Sequence, residues 1–392
     1  MAIPVKDEAE RLPGCLRALA QQQDGFGRPL VRDSFGVLIF ANNCSDQSAS
    51  LARSLAESLP FPVRIVETRL PSTKAHAGGA RRAAMNLAGA WLERDRQSGS
   101  VILTTDADSQ VCQDWISKNL TAIDAGADAV LGRIVLDSEG DLLPQFLHRR
   151  GRLESAYEAL LTELSALLDP LDHNPWPHHS TISGASLAVT RDMYRQVGGL
   201  PSVPLGEDKA FVAALLRHDA RIRFCPELQV ITSGRLDGRA PGGVADTLRL
   251  RSVDPDAFCD GALEPFRVAM RRARWRGRLR RSYQHGGLAV DGEWARDLGV
   301  SAHHAQRIAT ASAFGAAWSA IESTSPLFER RLLTPADLPG QILGARRALD
   351  RLQKSALPDQ HVETKGAVPI PPHNARRLVH KIDEELGGLV AG

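Results

Sequence analysis

Ser100-Val101-Ile102-Leu103-Thr104-Thr105-Asp106-Ala107-Asp108-Ser109 is the stretch on which the fold turns. A short apolar run, rich in β-branched residues, follows the break at Ser98-Gly99 and reads as a buried strand. It ends in two carboxylates one residue apart. Side chains alternate along a strand, so Asp106 and Asp108 are expected to point the same way. Adjacent carboxylates at the mouth of an open α/β sheet repel each other, and a divalent cation relieves that repulsion. Mg²⁺ or Mn²⁺ suits such a place, being held by one or two carboxylates together with phosphate oxygens. The plainer reading of Asp-x-Asp is a turn or a cap on the next helix.

Outward from this stretch, strand and helix patterns alternate. Ala2-Ile3-Pro4-Val5 reads as a strand, and Lys6-Asp7-Glu8-Ala9-Glu10 as the acidic opening of a helix with Leu12, Cys15, Leu16 and Leu19 on one face. Met1 stands close before that strand, so either the strand is short or the true N-terminus lies upstream. Residues 35–40 form a second apolar run, which enters Ala41-Asn42-Asn43-Cys44-Ser45-Asp46, a composition suited to a turn and an N-cap. Residues 63–67 give a third strand. Lys74-Ala75-His76-Ala77-Gly78-Gly79-Ala80-Arg81 then opens a helix. Its glycines either let backbone N–H groups approach a phosphate, with Lys74 and Arg81 adding charge, or serve only close packing. Beyond Asp108 come a helix over 114–125, a strand over 129–136, a long helix over 144–168 and a strand over 184–190 with Thr190 as N-cap. A helix from Lys209 and strands near 221–224 and 229–231 follow. The alternation predicts a mostly parallel sheet covered on both faces.

After about Pro255 strand signals vanish and helical ones dominate, which divides the chain into an α/β part, 1–250, and a helical part, 251–392. Residues 271–281 are dense in arginine. Such a run can bind nucleic acid, anionic lipid or pyrophosphate, but the expectation is a solvated helix face. Helices over 302–323 and 338–354, a polar linker over 360–372 and a last helix over 374–386 are predicted.

Composition limits the function classes. The chain has 392 residues, 43% hydrophobic and 24% charged, as in soluble globular proteins. A formal net charge of +2 says little about partners. No apolar run is long enough to span a bilayer, and the N-terminus does not resemble a signal peptide. Cys15, Cys44, Cys112, Cys225 and Cys259 are scattered, which suits reduced thiols in a cytoplasmic protein.

Ile-Pro-Val-Lys-Asp-Glu, Asn-Asn-Cys-Ser-Asp-Gln-Ser, Gly-Gly-Ala-Arg, Thr-Asp-Ala-Asp-Ser, Gly-Ala-Ser-Leu-Ala-Val and Gly-Glu-Asp occur in the order and rough spacing of a family 2 glycosyltransferase with the GT-A fold. The resemblance covers about residues 2–250. It implies an inverting, hexosyltransferase-class transfer from a nucleotide diphosphate sugar. Asp108 would bind the divalent metal, Mg²⁺ or Mn²⁺, and Asp106 would contact the ribose or the metal's water. Pro4, Glu8, Asn42, Asn43, Asp46 and Gly79 would belong to the donor side, and Asp208 would be the catalytic base. Gly184 and Glu207 would lie on the acceptor side.

The sequence departs from the family in three places. Ala41 stands where the family often has an Asp contacting the base, which leaves the nucleotide open. The Gln-x-x-Arg-Trp motif and membrane helices of processive synthases are absent, favouring one transfer to a discrete acceptor. Thr232-Ser233-Gly234-Arg235 replaces a metal-ligating His of some relatives, so Arg235 and Arg239 are expected on the diphosphate. Trp176, His178 and His179, in a Pro-rich loop with His173, are candidates for an acceptor sugar, against a plain surface loop. A nucleotidyltransferase is the competing enzyme reading, but Lys6-Asp7-Glu8 lacks the Gly-rich basic loop expected of one. A catalytically silent nucleotide-sugar-binding scaffold is the third. Self-association is compatible with the sequence, and the acceptor is not legible.

Overall fold

The computed structural model describes residues 1–94, 99–137, 144–235, 238, 243–289 and 292–356. In chain order its first elements are β1 (Ala2–Val5), α1 (Leu12–Ala20), β2 (Val37–Asn42), α2 (Ser48–Ala56), β3 (Val63–Thr68), α3 (Ala77–Arg94), β4 (Val101–Thr104) and β5 (Ser109–Val111). Then come α4 (Trp115–Asp124), β6 (Ala129–Leu136), α5 (Gln145–Leu168), β7 (Leu187–Thr190), α6 (Arg191–Gln196), α7 (Glu207–Arg217) and β8 (Ile222–Thr232). The helices α8 (Val244–Val253), α9 (Phe266–Gln284), α10 (Glu293–Asp297), α11 (Ala302–Ala309), α12 (Phe314–Thr324) and α13 (Leu338–Ala356) follow.

The eight strands form one sheet in the order β3-β2-β1-β4-β7-β6-β8-β5. The half β3-β2-β1-β4 is parallel, β7 runs antiparallel to both β4 and β6, and β6 and β8 are parallel again. The α/β architecture expected from the alternating pattern is therefore present. Period-two burial shows in β2. Val37 and Ile39 join one core with Leu12, Leu16 and Leu19 of α1 and Trp115 of α4. Leu38 and Phe40 join the other, with Ala84 and Met85 of α3 and Phe211 and Leu215 of α7. A third apolar cluster, containing Leu298, Phe314, Trp318, Ile321 and Phe328, is built by the helices after α8.

Several local expectations change. α1 starts at Leu12 rather than near Lys6, with no acidic residue in its first turn. Asp7 has φ 53°, and the N–H groups of Glu8 and Ala9 donate to Ser48 Oγ at 2.9 Å and Asp46 Oδ2 at 3.0 Å, so this stretch is a fastened turn. β5 carries no apolar run and exists through its antiparallel pairing with β8. The two separate strands expected near 221–231 are one strand whose register jumps opposite Gly132/Arg133. A Cβ on Gly132 would overlap Ser186 Oγ, which itself accepts Trp115 Nε1–H at 2.9 Å. α8 was not legible, and the single helix expected over 302–323 is two, α11 and α12.

The arginine run also differs from expectation. Arg274, Arg278 and Arg281 are exposed, but Arg272, Arg276 and Arg280, spaced by four, turn inward. Arg272 pairs with Glu264 at 2.8 Å and Glu322 at 3.0 Å. Arg276 and Arg280 both hold Asp169, whose side chain is 2% exposed. The opposing guanidinium groups keep the Asp169 carboxyl below its ordinary range, although burial works against this. At the C-terminus of α7, Asp219 accepts the N–H groups of Phe314 at 2.7 Å and Gly315 at 2.6 Å, capping α12.

Contact clustering divides the chain into Met1–Arg346 and Arg347–Gly392. Of the second unit the end of α13, residues 347–356, is described, and the predicted linker and last helix lie outside the described residues. Among the described residues no helix is long and apolar enough to cross a membrane.

Asp169→Ala should cost about 3 kcal/mol in urea unfolding, because it strands two guanidinium groups together. A change in midpoint with an unchanged m-value would match this account; an unchanged midpoint would refute it.

Candidate active site

Ligands of open α/β sheets sit beyond the carboxyl ends of strands where strand order reverses. Here that place is between β1 and β4. Their pairing stops at Ala2–Thr104, so the chains diverge above it. Pro4 lies in the diverging part, where its missing N–H costs no bond to β4. The turns after β1, β2 and β4 carry Asp7 and Glu8, Asn42 to Asp46, and Asp106 and Asp108.

The β1 and β2 turns are tied to each other. Asp7 Oδ1 accepts Ser45 N–H at 2.6 Å, Ser45 Oγ–H at 3.0 Å and Asp46 N–H at 3.2 Å. Burial opposes its ionisation, but these donors and Lys6 outweigh it and bring Asp7 down to about 2. Asp46 accepts Ser48 N–H at 2.9 Å and Ser48 Oγ–H at 2.6 Å. Asp7, Cys44 and Asp46 are the group of three mutually close potential metal ligands found among the described residues. The carboxylates already serve those loop donors. Asn43, expected on the donor side, exchanges both amide hydrogen bonds with the backbone of Leu70, at 3.1 and 3.0 Å. Asn42 is buried at the end of β2, and Lys74 is exposed ahead of α3.

β4 ends at Thr104, so the strand alternation does not reach the carboxylate pair. Asp106 and Asp108 instead leave a turn toward different arginines. Arg81 is buried and makes four hydrogen bonds: to Glu207 at 3.2 Å, Thr104 Oγ1 at 3.0 Å, the Gly184 carbonyl at 3.0 Å and Asp106 at 2.6 Å. Expected beside a phosphate, Arg81 is engaged by protein acceptors. Gly78 and Gly79 serve close packing, since a Cβ would overlap the Val203 or Lys74 carbonyl oxygen, and Gly79 N–H donates to His76 Nδ1 at 3.1 Å.

Asp108 faces Arg235, with Nη2 to Oδ2 at 3.3 Å. Arg235 also grips Glu8 with both terminal nitrogens, one at 2.8 Å. Thr232 Oγ1 donates to Asp108 at 3.4 Å. Thr232 and Ser48 were not legible as site residues; Thr232 is brought to Asp108 only by the β5–β8 pairing. The chain of charges thus runs Glu207, Arg81, Asp106, Asp108, Arg235, Glu8. When all are ionised, four carboxylates face two guanidinium groups and leave a formal charge of about −2. Burial first, then the nearby charges of Asp106 and Glu8, push Asp108 up to about 6 despite Arg235. A surplus of negative charge that a divalent ion would relieve is the chemistry of a cation-binding edge, so these residues fit one. Arg239 lies outside the described residues.

α7 starts at Glu207, two residues before the start expected at Lys209, after the left-handed Gly206 with φ 69°. Successive residues of its first turn diverge by about 100°. Glu207 is buried against Arg81, while Asp208 accepts Gly184 N–H at 3.3 Å and Lys209 N–H at 2.7 Å. Gly184 therefore bonds to Asp208 through its N–H and to Arg81 through its carbonyl. The loop before it is fastened by Ser180 to Glu158 of α5 at 2.6 Å and by Asn174 to Phe224 N–H of β8 at 3.0 Å. His178 and His179 pack against the Phe224 ring with centroids 6.5 and 5.6 Å away. Burial holds His179 down to about 4, and Trp176 is 40% exposed, edge-on to His178.

The fold is an open α/β sheet with a pair of carboxylates, Asp106 and Asp108, at its switch point. The glycosyl transferase family 2 model matches residues 1–194, so this part of the chain carries a family 2 glycosyltransferase domain, and the protein is a glycosyltransferase. The match ends before Asp208 and Arg235. No curated protein sequence matches this chain. Among solved structures it is similar to S. aureus TarS 1–349 in complex with UDP-GlcNAc, with 14% identity over 95% of this chain and 96% of that one and a TM-score of 0.44. It is also similar to the mannosyltransferase PcManGT from Pyrobaculum calidifontis in complex with GDP-Man and Mn²⁺, with 16% identity over 90% and 81% and a TM-score of 0.41.

A Cβ on Gly184 would overlap the Arg81 guanidinium, which four acceptors hold in place. Gly184→Ala should therefore cost about 1–3 kcal/mol by overpacking. A thermal midpoint equal to that of the unsubstituted protein would show that Arg81 has room to yield.

Proposed function

We propose that residues 1–250 transfer one sugar, with inversion, from a nucleotide diphosphate sugar to a discrete acceptor, aided by Mg²⁺ or Mn²⁺, and that residues 251–392 form a separate helical part. The observation that carries this reading is the carboxylate surplus around Asp108, one buried arginine away from the Glu207-Asp208 pair. Asp108 is the residue proposed to hold the cation, with Asp106 turned to it or to the ribose. When bound, the cation supplies Lewis-acid stabilisation of the departing diphosphate. Glu8, Asn42 and Asp46 are assigned to the nucleoside, and Arg235, beside Asp108, is assigned to the diphosphate.

Asp208 is proposed as the base. The acceptor oxygen forms the new bond to the sugar's anomeric carbon while the bond to the diphosphate breaks and its electron pair leaves with the phosphate. The hydroxyl proton passes to the Asp208 carboxylate. Two backbone N–H groups fix that carboxylate, so its contribution comes largely from positioning. Glu207 is turned away and orients Arg81. Trp176, His178 and Gly184 are assigned to the acceptor side, Trp176 offering an exposed ring face for a sugar.

Asp208→Asn should lower kcat by about 10²–10⁴-fold with donor affinity nearly unchanged. Near-normal turnover of Asp208→Asn beside an inactive Glu207→Gln would reverse the two assignments. Asp108→Ala should remove Mn²⁺-dependent donor binding, measured calorimetrically, while leaving the far-UV circular dichroism intact; persistent Mn²⁺-dependent binding would rule out Asp108 as ligand.

A further inference from the structure

Arg235 sits beside Asp108, the proposed ligand of the cation, with Nη2 to Oδ2 at 3.3 Å. Its side chain is 17% exposed, and it reaches the carboxylates of two distant segments, Glu8 after β1 and Asp108 after β4. Its own backbone is anchored. Three residues earlier, Thr232 ends β8, pairs with Ser109 in the sheet and accepts the Ser109 hydroxyl at 2.9 Å. Arg235 N–H donates to Ser233 Oγ at 3.4 Å. The guanidinium is thus delivered to the site by the fold.

Mg²⁺ ligates carboxylate oxygen at about 2.0–2.1 Å in a nearly ideal octahedron. At 3.3 Å from Asp108 Oδ2, the Arg235 nitrogen covers one approach to that oxygen. Like charges this close repel strongly even at intermediate dielectric. Asp106 adds little free charge to attract the cation, because its Oδ1 is already held by Arg81 at 2.6 Å. Arginine and cation therefore draw on the same negative charge.

We propose that Arg235 is a built-in competitor of the divalent cation for Asp108. In the cation-free protein it neutralises Asp108 and Glu8 together, and the cation enters only as Arg235 leaves Asp108. A donor diphosphate offers the departing guanidinium a bidentate anionic partner. Cation and donor then bind more tightly together than either does alone. This inference rests on Asp108 being the cation's ligand, and the test separates the two claims.

The full-length protein is titrated with Mn²⁺ alone, and free Mn²⁺ is read by electron paramagnetic resonance. Arg235→Met keeps an apolar stem and removes the charge; it should bind Mn²⁺ about tenfold or more tightly than the unsubstituted protein. Arg235→Lys, which keeps a point charge without the fork, should fall between them. An Arg235→Met affinity equal to or weaker than that of the unsubstituted protein overturns the competition. Should Arg235→Met fail to fold with Glu8 left buried and unpaired, the double variant Glu8→Gln/Arg235→Met carries the same expectation and the same overturning result. Asp108→Asn added to Arg235→Met should abolish the gain. A gain that survives Asp108→Asn overturns the Asp108 assignment itself. Loss of Mn²⁺ binding in Asp108→Asn with no gain in Arg235→Met overturns the competition alone.

Discussion

The buried guanidinium of Arg81 is the interaction on which the rest of the site depends. It joins α3 to the end of β4, to Asp106, to Gly184 and to Glu207 at the start of α7. Each of those segments arrives from a different part of the chain. A lysine, with one point charge and no planar fork, would not satisfy four acceptors in this arrangement. A buried cation is tolerated when its donors are paired, and here Asp106 and Glu207 also raise the proton affinity of Arg81 against the effect of burial. The result is a rigid post between the Asp-x-Asp turn and the first turn of α7, where Asp208 stands.

Arg235 is the counterpart at the other end of the charge chain. Arg81 is enclosed and fixed, whereas Arg235, three residues past the end of β8, is partly open to solvent. The two arginines therefore divide the labour: one sets geometry, the other balances charge. The surplus negative charge they leave is consistent with a site that awaits positive charge. Asp208, the carboxylate proposed as base, lies outside that surplus, on the α7 side.

Among the described residues the helices after β8 meet α5 and α7 through ion pairs and caps. Asp169, at the end of α5, gathers Arg276 and Arg280 from α9, and Asp219, at the end of α7, caps α12. The helix that begins with Glu207-Asp208 is thus held at its far end by the helices that follow the sheet. A conserved geometry at Asp208 would then depend on a segment well outside the sheet.

Ala2–Val5, the apolar runs before Asn42 and Asp106, and the face Leu12, Cys15, Leu16, Leu19 were legible in the sequence because period two and period 3.6 are local signals. So were the Thr190 cap and the family's ordered motifs, whereas Asp106 and Asp108, expected to point the same way from a strand, lie in a turn after it and face different arginines. Tertiary structure decided the rest. β5 needs β8 as its partner, and a polar tripeptide carries no strand signal without it. The inward Arg272, Arg276 and Arg280 and the outward Arg274, Arg278 and Arg281 look alike in sequence; Asp169 and Glu264, far away in the chain, select between them. Arg81 reads as a phosphate ligand until Asp106, Gly184 and Glu207 converge on it. Sequence fixes which side chains repeat along one element, but which charges face one another across elements is set by the packing that brings those elements together.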